Sequence, residues 1–297
     1  MYARRRGWFV FVSLALLSCQ LAFPILVYGQ AWIPPKHTGT VSLAYKNLYV
    51  HDHLTKTGKR IDRGQIRHNV LAMDLDYGVT RRLALNVGVP LTFGKYTGAT
   101  PHRDPGQVKY LDDGKYHGGF QDFRLGGRYS LVRYGPVVVT PFIEGIVPSH
   151  HYETFAHTAI GRDLREFLVG TYVGRDLEPV LPNAYFQARV SYALVKRVLG
   201  MSHNRTNIYA ELGYGLTERV ALSGLASFQK HHGGLDFDDS KPALEQFTLE
   251  QYHHHDQLFR ADSLDVGGGV SFVVNRSTSV FATLRSEERR VGKECRL

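Results

Sequence analysis

The chain has 297 residues, a formal charge of +9, 43% hydrophobic residues and only two cysteines. Its mean hydropathy is nevertheless below zero, so the apolar residues are diluted evenly by polar ones. That excludes a bundle of membrane helices, which needs repeated apolar runs of about 20 residues. More than half of the charge excess lies in the two terminal segments and the rest is scattered. No basic patch for nucleic acid results, and no nucleic-acid partner is expected.

The N-terminus carries the one long apolar run. Arg4, Arg5 and Arg6 precede an apolar stretch from Trp8 to Leu17, and Val27-Tyr28-Gly29 offers a cleavage point before Gln30, with Ala31 as a second candidate. Residues 1–29 are therefore expected to be a signal peptide. Pro24 argues against an uncleaved anchor helix. Leu16-Leu17-Ser18-Cys19 matches a lipoprotein cleavage box only loosely, because apolar sequence continues beyond it. Cys19 lies in this segment and Cys295 near the C-terminus, so the body between them has no intrachain disulfide.

Period-two alternation fills the body. Leu71, Met73, Leu75 and Tyr77 fall on one face of a strand, with Asp74 and Asp76 on the other. Phe123, Leu125 and Tyr129 oppose Asp122, Arg124 and Arg128; Phe186, Val190, Tyr192 and Leu194 oppose Gln187, Arg189 and Ser191. Eleven such strands are expected, over 40–50, 68–78, 82–92, 120–130, 137–147, 165–175, 184–195, 206–215, 219–230, 261–273 and 278–284.

A soluble β-sandwich also alternates, and the connections separate the two readings. Val79 to Arg81, Leu216 to Arg219 and Asn275 to Thr278 are short, whereas His51–Arg67, Phe93–Gly119, Ser149–Asp163, Lys196–Thr206 and His231–Arg260 are long and polar. Short turns alternating with long loops are the mark of an outer-membrane barrel. Tyr77-Gly78-Val79-Thr80-Arg81-Arg82-Leu83-Ala84-Leu85 also recurs as Tyr214-Gly215-Leu216-Thr217-Glu218-Arg219-Val220-Ala221-Leu222, at the same topological place. The expected fold is an all-β, antiparallel, up-and-down transmembrane β-barrel over residues 30–284, located in the bacterial outer membrane. Single-chain barrels have even strand numbers, so about 12 strands are intended and about 11 are present.

The twelfth strand should follow residue 284. Residues 285–297 are instead charged and non-alternating, and they resemble the translation of a common sequencing adapter. They are expected to be an artefactual tail in the place of the final strand.

Asp122-Phe123-Arg124-Leu125-Gly126-Gly127-Arg128-Tyr129 resembles a strand common in poorly characterised outer-membrane barrels labelled as transporters or as meta-pathway phenol-degradation-like proteins. The two Tyr-Gly-x-Thr turns are similar too. The resemblance implies a twelve-stranded barrel and uptake of small, including aromatic, molecules; it transfers no binding residue.

Lumen-lining candidates follow from the polar strand faces: Asp74, Asp76, Asp122, Arg124, Arg128, Glu144, Arg189, Glu211 and Asp265. The reading is passive or substrate-selective passage of small solutes, with a structural or surface-binding barrel as the alternative. The fifteen histidines gather in expected loops. His231, His232, His253, His254, His255 and Asp256 flank one of them and offer zinc or copper ligands, without a fixed ligand spacing. His51-Asp52-His53, His150-His151 and His157 stand in others. Ser202-His203-Asn204-Arg205 supplies hydrolase-like groups, but one polar run lacks an oriented base, and no enzyme or cofactor is expected. The expected partners are outer-membrane lipid, periplasmic chaperones, the barrel-insertion machinery and small solutes.

Overall fold

The computed structural model describes residues 9–11, 29–51, 53–54, 60–62, 64–103, 110–236 and 243–291. The rest of the expected signal peptide, Asp52 and residues 292–297 of the expected tail lie outside the described residues. Eleven long strands are present: β1 Gly39–Val50, β2 Gln65–Gly78, β3 Leu83–Thr97, β4 Phe123–Tyr129, β5 Val137–Val147, β6 Glu166–Asp176, β7 Ala184–Val195, β8 His203–Gly215, β9 Val220–Gly233, β10 Ala261–Asn275 and β11 Thr278–Val291. Each is hydrogen-bonded to its chain neighbour in one antiparallel meander. His117–Phe120 lengthens the ladder on β3 and Val132–Tyr134 that on β5.

The eleven expected strands are all there, and the differences lie at the end of the sheet. Phe9–Phe11, from the expected signal peptide, pairs with β11, Phe9 standing opposite Arg285. The same three residues lie beside β1, so the sheet curls until its two ends approach. β11 does not stop at residue 284 but runs to Val291, opposite Ala261 of β10. A ladder is built from backbone groups that every residue except proline supplies, so the charge pattern of residues 285–291 does not end the pairing.

Alternation sorts the two faces. On β2, Leu71, Met73, Leu75 and Tyr77 are exposed on the outside, whereas Ala72 between them is buried. Leu85 on β3, Leu125 on β4, Ile143 on β5, Val169 on β6, Val190 on β7, Leu212 on β8 and Val266 on β10 continue that outward apolar band. A soluble sheet would bury this face; a membrane barrel presents it to lipid and keeps polar groups inside.

The recurrent turn explains the recurrent sequence. Thr80 Oγ1 accepts the amides of Arg82 (3.1 Å) and Leu83 (2.9 Å), and Thr217 Oγ1 accepts those of Arg219 (3.2 Å) and Val220 (3.0 Å). The amides of Val79 and Leu216 donate in turn to the carbonyls of Leu83 and Val220. A threonine two residues after the strand-end glycine thus satisfies two amides where the chain reverses.

The core sits inside the barrel, where inserted segments meet the wall. Ala31 from the N-terminal segment, Val138 and Phe142 of β5, Leu164 of the connection before β6, Leu168 and Tyr172 of β6, Val195 of β7 and Leu258 form one apolar cluster. Leu258 belongs to three helical turns, Ala243–Gln246, Leu249–His253 and His255–Leu258, in the connection expected to be a long polar loop. Thr248 and Gln251 close a capping box on the second turn. We predict that Thr80→Val and Thr217→Val each lower stability by about 0.5–1 kcal/mol, near the net worth of a hydrogen-bonded cap. Urea unfolding in lipid vesicles, followed by tryptophan fluorescence, measures it; no change in midpoint would contradict the turn assignment.

Candidate functional site

The inward face of the strands carries an ordered set of charges. Arg124 of β4 reaches Asp74 of β2 at 2.5 Å, and Arg128 reaches Asp76 at 2.5 Å. Both pairs span the intervening strand β3. Gly88, which stands opposite Asp74 on one side and Arg124 on the other, leaves room for the first pair. A Cβ there would come within 2.8 Å of Asp74 Oδ1 and 2.7 Å of Arg124 Nε.

Further round the wall, Glu144 of β5 accepts from Asn86 at 3.4 Å and faces Arg189 at 3.5 Å. The Arg189 guanidinium lies 4.5 Å from the Phe142 ring centre and 5.6 Å from that of Tyr172. Glu211 of β8 gathers three donors: Gln187 at 2.9 Å, Tyr209 at 2.6 Å and Tyr185. Asp265 of β10 accepts from Ser227 of β9 at 2.8 Å. Asp122 stands just before β4 and accepts the Tyr152 hydroxyl at 2.5 Å. The nine lumen candidates are thus joined in local pairs and hubs around the wall. Tyr185, Tyr209 and Gln187, which complete the Glu211 hub, were not among the lumen candidates, although alternation puts Gln187 and Tyr209 on the polar strand faces.

Two inserted segments narrow the interior. At the short-turn end, the Ala31 amide donates to Gln187 Oε1 at 3.1 Å and the Thr140 hydroxyl donates to the Ala31 carbonyl at 2.7 Å. Tyr172 donates to Gln30 Oε1 at 2.9 Å, and Trp32 meets Tyr185 edge-on. Residues 29–32 therefore lie inside, against β5, β6 and β7. At the long-loop end, the connection after β5 folds inward: Phe155, Ile160 and Leu164 are buried, and the His68 ring of β2 is 3.3 Å from the His157 carbonyl.

Space remains beside these segments. A cavity of about 1420 Å³ opens at the short-turn end along β7 to β11, lined by Tyr185, Tyr209, Glu211, Ser223, Phe281 and Arg285. A recess of about 220 Å³ lies toward the long loops, between Lys46, His68, Thr92, Gln121 and Ile160.

The six expected metal-binding residues do not form one group. His231 on β9 is buried with His203 on β8, and no ring nitrogen of either has a hydrogen-bond partner among the described residues. His232 lies elsewhere, with Nε2 2.7 Å from Thr206 Oγ1 and its ring against Tyr192. His253 packs on Phe155, and His254 Nδ1 is 2.7 Å from Gln257 Oε1. His255 and Asp256 meet His102, which belongs to the connection after β3 and was not singled out in the sequence.

Asp112 in that same connection is buried beside His102 and His157. Burial works to raise its pKa, but hydrogen bonds from those two side chains and from the His102 amide outweigh this and hold it well below the usual carboxylate range. In the hydrolase-like run, Asn204 Oδ1 accepts the Val195 amide at 2.9 Å and Arg205 pairs with Glu166. Both side chains therefore serve the wall.

Among solved structures, the fold is similar to an outer membrane channel from Pseudomonas putida F1, with a TM-score of 0.60 at 10% identity, covering 88% of this chain and 98% of that one. Weaker likenesses, each with a TM-score of 0.38, are a monoaromatic hydrocarbon channel, the TodX deltaS2S3 mutant (10% identity, 94% of this chain and 87% of that one), and a FadL homologue from Pseudomonas aeruginosa (9% identity, 87% and 74%). No protein-family model and no curated protein matches the sequence. The fold is that of an outer-membrane β-barrel.

Arg128 is the most buried cation of the paired wall, its side chain 7% exposed against 27% for Asp76. We predict that Arg128→Met destabilises the barrel by about 2–3 kcal/mol, because it strands a half-buried carboxylate. Adding Asp76→Leu should recover most of that loss. A double substitution as unstable as the single one would show that the pair is not the source of the effect.

Proposed function

We propose that this chain is an outer-membrane channel for the passive or selective passage of small solutes, including aromatic ones. The observation that carries the reading is the combination of an apolar outer band with a polar inner wall bounding a cavity of about 1420 Å³. That volume exceeds the roughly 300–1,000 Å³ of ordinary ligand pockets, and a barrel of about twelve strands encloses less space than the 16–18 strands of open porins.

Selectivity follows from the lining. Tyr185, Tyr209 and Phe281 offer ring faces around this space, and Glu211 offers a charged group beside them. A small planar solute meets an aromatic surface there and a polar group for its substituent. Ion pairs already satisfied within the wall present little net field, so transfer of a neutral or singly charged solute carries a small desolvation cost. The N-terminal segment acts as a partial plug, held chiefly by three hydrogen bonds to Gln187, Thr140 and Tyr172.

The test is solute flux into liposomes containing the refolded chain, with and without residues 30–36. Passage of a small solute such as benzoate is expected, rising several-fold when the segment is removed. If neither protein admits a solute of that size, the channel reading fails and a barrel acting through its external loops is the better account.

A further inference from the structure

The long-loop end holds a cluster that solute passage does not require. His102 comes from the connection after β3, and His255 and Asp256 come from the third helical turn in the connection after β9. Their ligand atoms lie within 4.8 Å of one another. His102 Nε2 is 2.9 Å from His255 Nε2, and His255 Nε2 is 3.3 Å from Asp256 Oδ1.

The outer nitrogens of the two rings decide what these atoms are. His102 Nδ1 lies 3.3 Å from Asp112 Oδ2, and His255 Nδ1 lies 2.6 Å from the Tyr252 carbonyl oxygen. A carboxylate and a carbonyl only accept, so each neutral ring carries its proton on Nδ1. Both Nε2 atoms then present lone pairs, and they point at each other. Asp256 adds a third acceptor, and its Oδ2 is buried with no hydrogen-bond partner among the described residues. Three acceptors facing one another, with no donor side chain between them among the described residues, repel unless a cation stands among them. The His255 side chain is only 7% exposed, so water screens this repulsion poorly.

We propose that His102, His255 and Asp256 are the ligands of a divalent transition-metal ion, zinc being the natural probe. Two imidazoles and one carboxylate are a common donor set for such ions, leaving a fourth position for a solvent or solute atom. Tetrahedral zinc with bonds of about 2.0–2.1 Å holds its ligand atoms roughly 3.3 Å apart, so the two imidazoles need to part by only a few tenths of an ångström.

The surroundings match the second layer of a metal centre, in which the far nitrogen of each ligating histidine donates to a carboxylate or carbonyl. Asp112 does this for His102, and the Tyr252 carbonyl does it for His255. Asp112 is itself fixed by the Thr158 hydroxyl and amide at 3.2 Å and by His157 Nδ1 at 2.8 Å. Phe155, 4.9 Å from the His102 ring and 5.5 Å from the His255 ring, forms an apolar wall. A bound ion thus ties together the connections after β3 and β9, with the connection after β5 held to them through Asp112 and Phe155.

Titration of the refolded full chain with zinc by calorimetry, and with cobalt by visible absorption, tests the site. One zinc per chain at micromolar concentration or tighter is expected, with the intense d–d bands of tetrahedral cobalt. His102→Ala and Asp256→Asn should each weaken zinc at least 10-fold, and Asp112→Asn should weaken it about 10-fold by freeing the His102 ring. His254→Ala should leave the affinity unchanged. The heat-modifiable electrophoretic mobility of the barrel reports whether each variant is folded. Absence of binding to the folded chain, or equal affinity in folded His102→Ala, would overturn the proposal. Because binding is read without flux, its failure is distinguishable from failure of the channel reading.

Discussion

A strand in hydrocarbon has no water to satisfy its amides and carbonyls, so every backbone group must find another strand. That requirement organises this molecule. It accounts for the unbroken antiparallel meander from β1 to β11, and for β11 keeping its ladder with β10 through residues whose charges suggested a tail.

Once the backbone is committed to the ladder, side chains are free only to choose a face. The outward choice is apolar and the inward choice is polar, and inward charges then need partners of their own. The wall meets this by pairing strand to strand, Asp74 with Arg124 and Asp76 with Arg128, with Gly88 leaving the gap through which the first pair meets. The interior is too wide for wall side chains alone to fill, so apolar contact is made where chain segments enter from both ends. Ala31 enters from one end, and Leu164 and Leu258 from the other.

The strands were legible because period-two alternation is enforced at every position by lipid on one side and polar lumen on the other. Tyr77 to Leu85 and Tyr214 to Leu222 were legible as paired turns for a local reason: threonine caps two amides within three residues. The inserted segments were not legible, since their contacts are remote. Ala31 meets a residue 156 positions away, and His102 meets His255 across 153 positions. Signals were nevertheless present in those polar runs: Phe155, Ile160 and Leu164 are spaced apolar residues without a strand period, and Thr248 with Gln251 forms a helix-capping pair. Grouping histidines by nearness in the chain put His231 and His232 with His255, whereas the fold puts His102 there.

The central claim is that the two strand faces see different media, lipid outside and a polar lumen inside. Single cysteines along β2 test it most directly, at positions 71, 73 and 75 and at positions 72, 74 and 76, in the refolded chain in lipid vesicles. Labelling with a charged, membrane-impermeant thiol reagent on both sides of the bilayer should mark the even positions and spare the odd ones, while a bilayer-soluble quencher should reach a fluorophore on the odd positions alone. Equal labelling along the strand, or the opposite phase, would contradict the barrel and with it the lumen on which the functional reading rests.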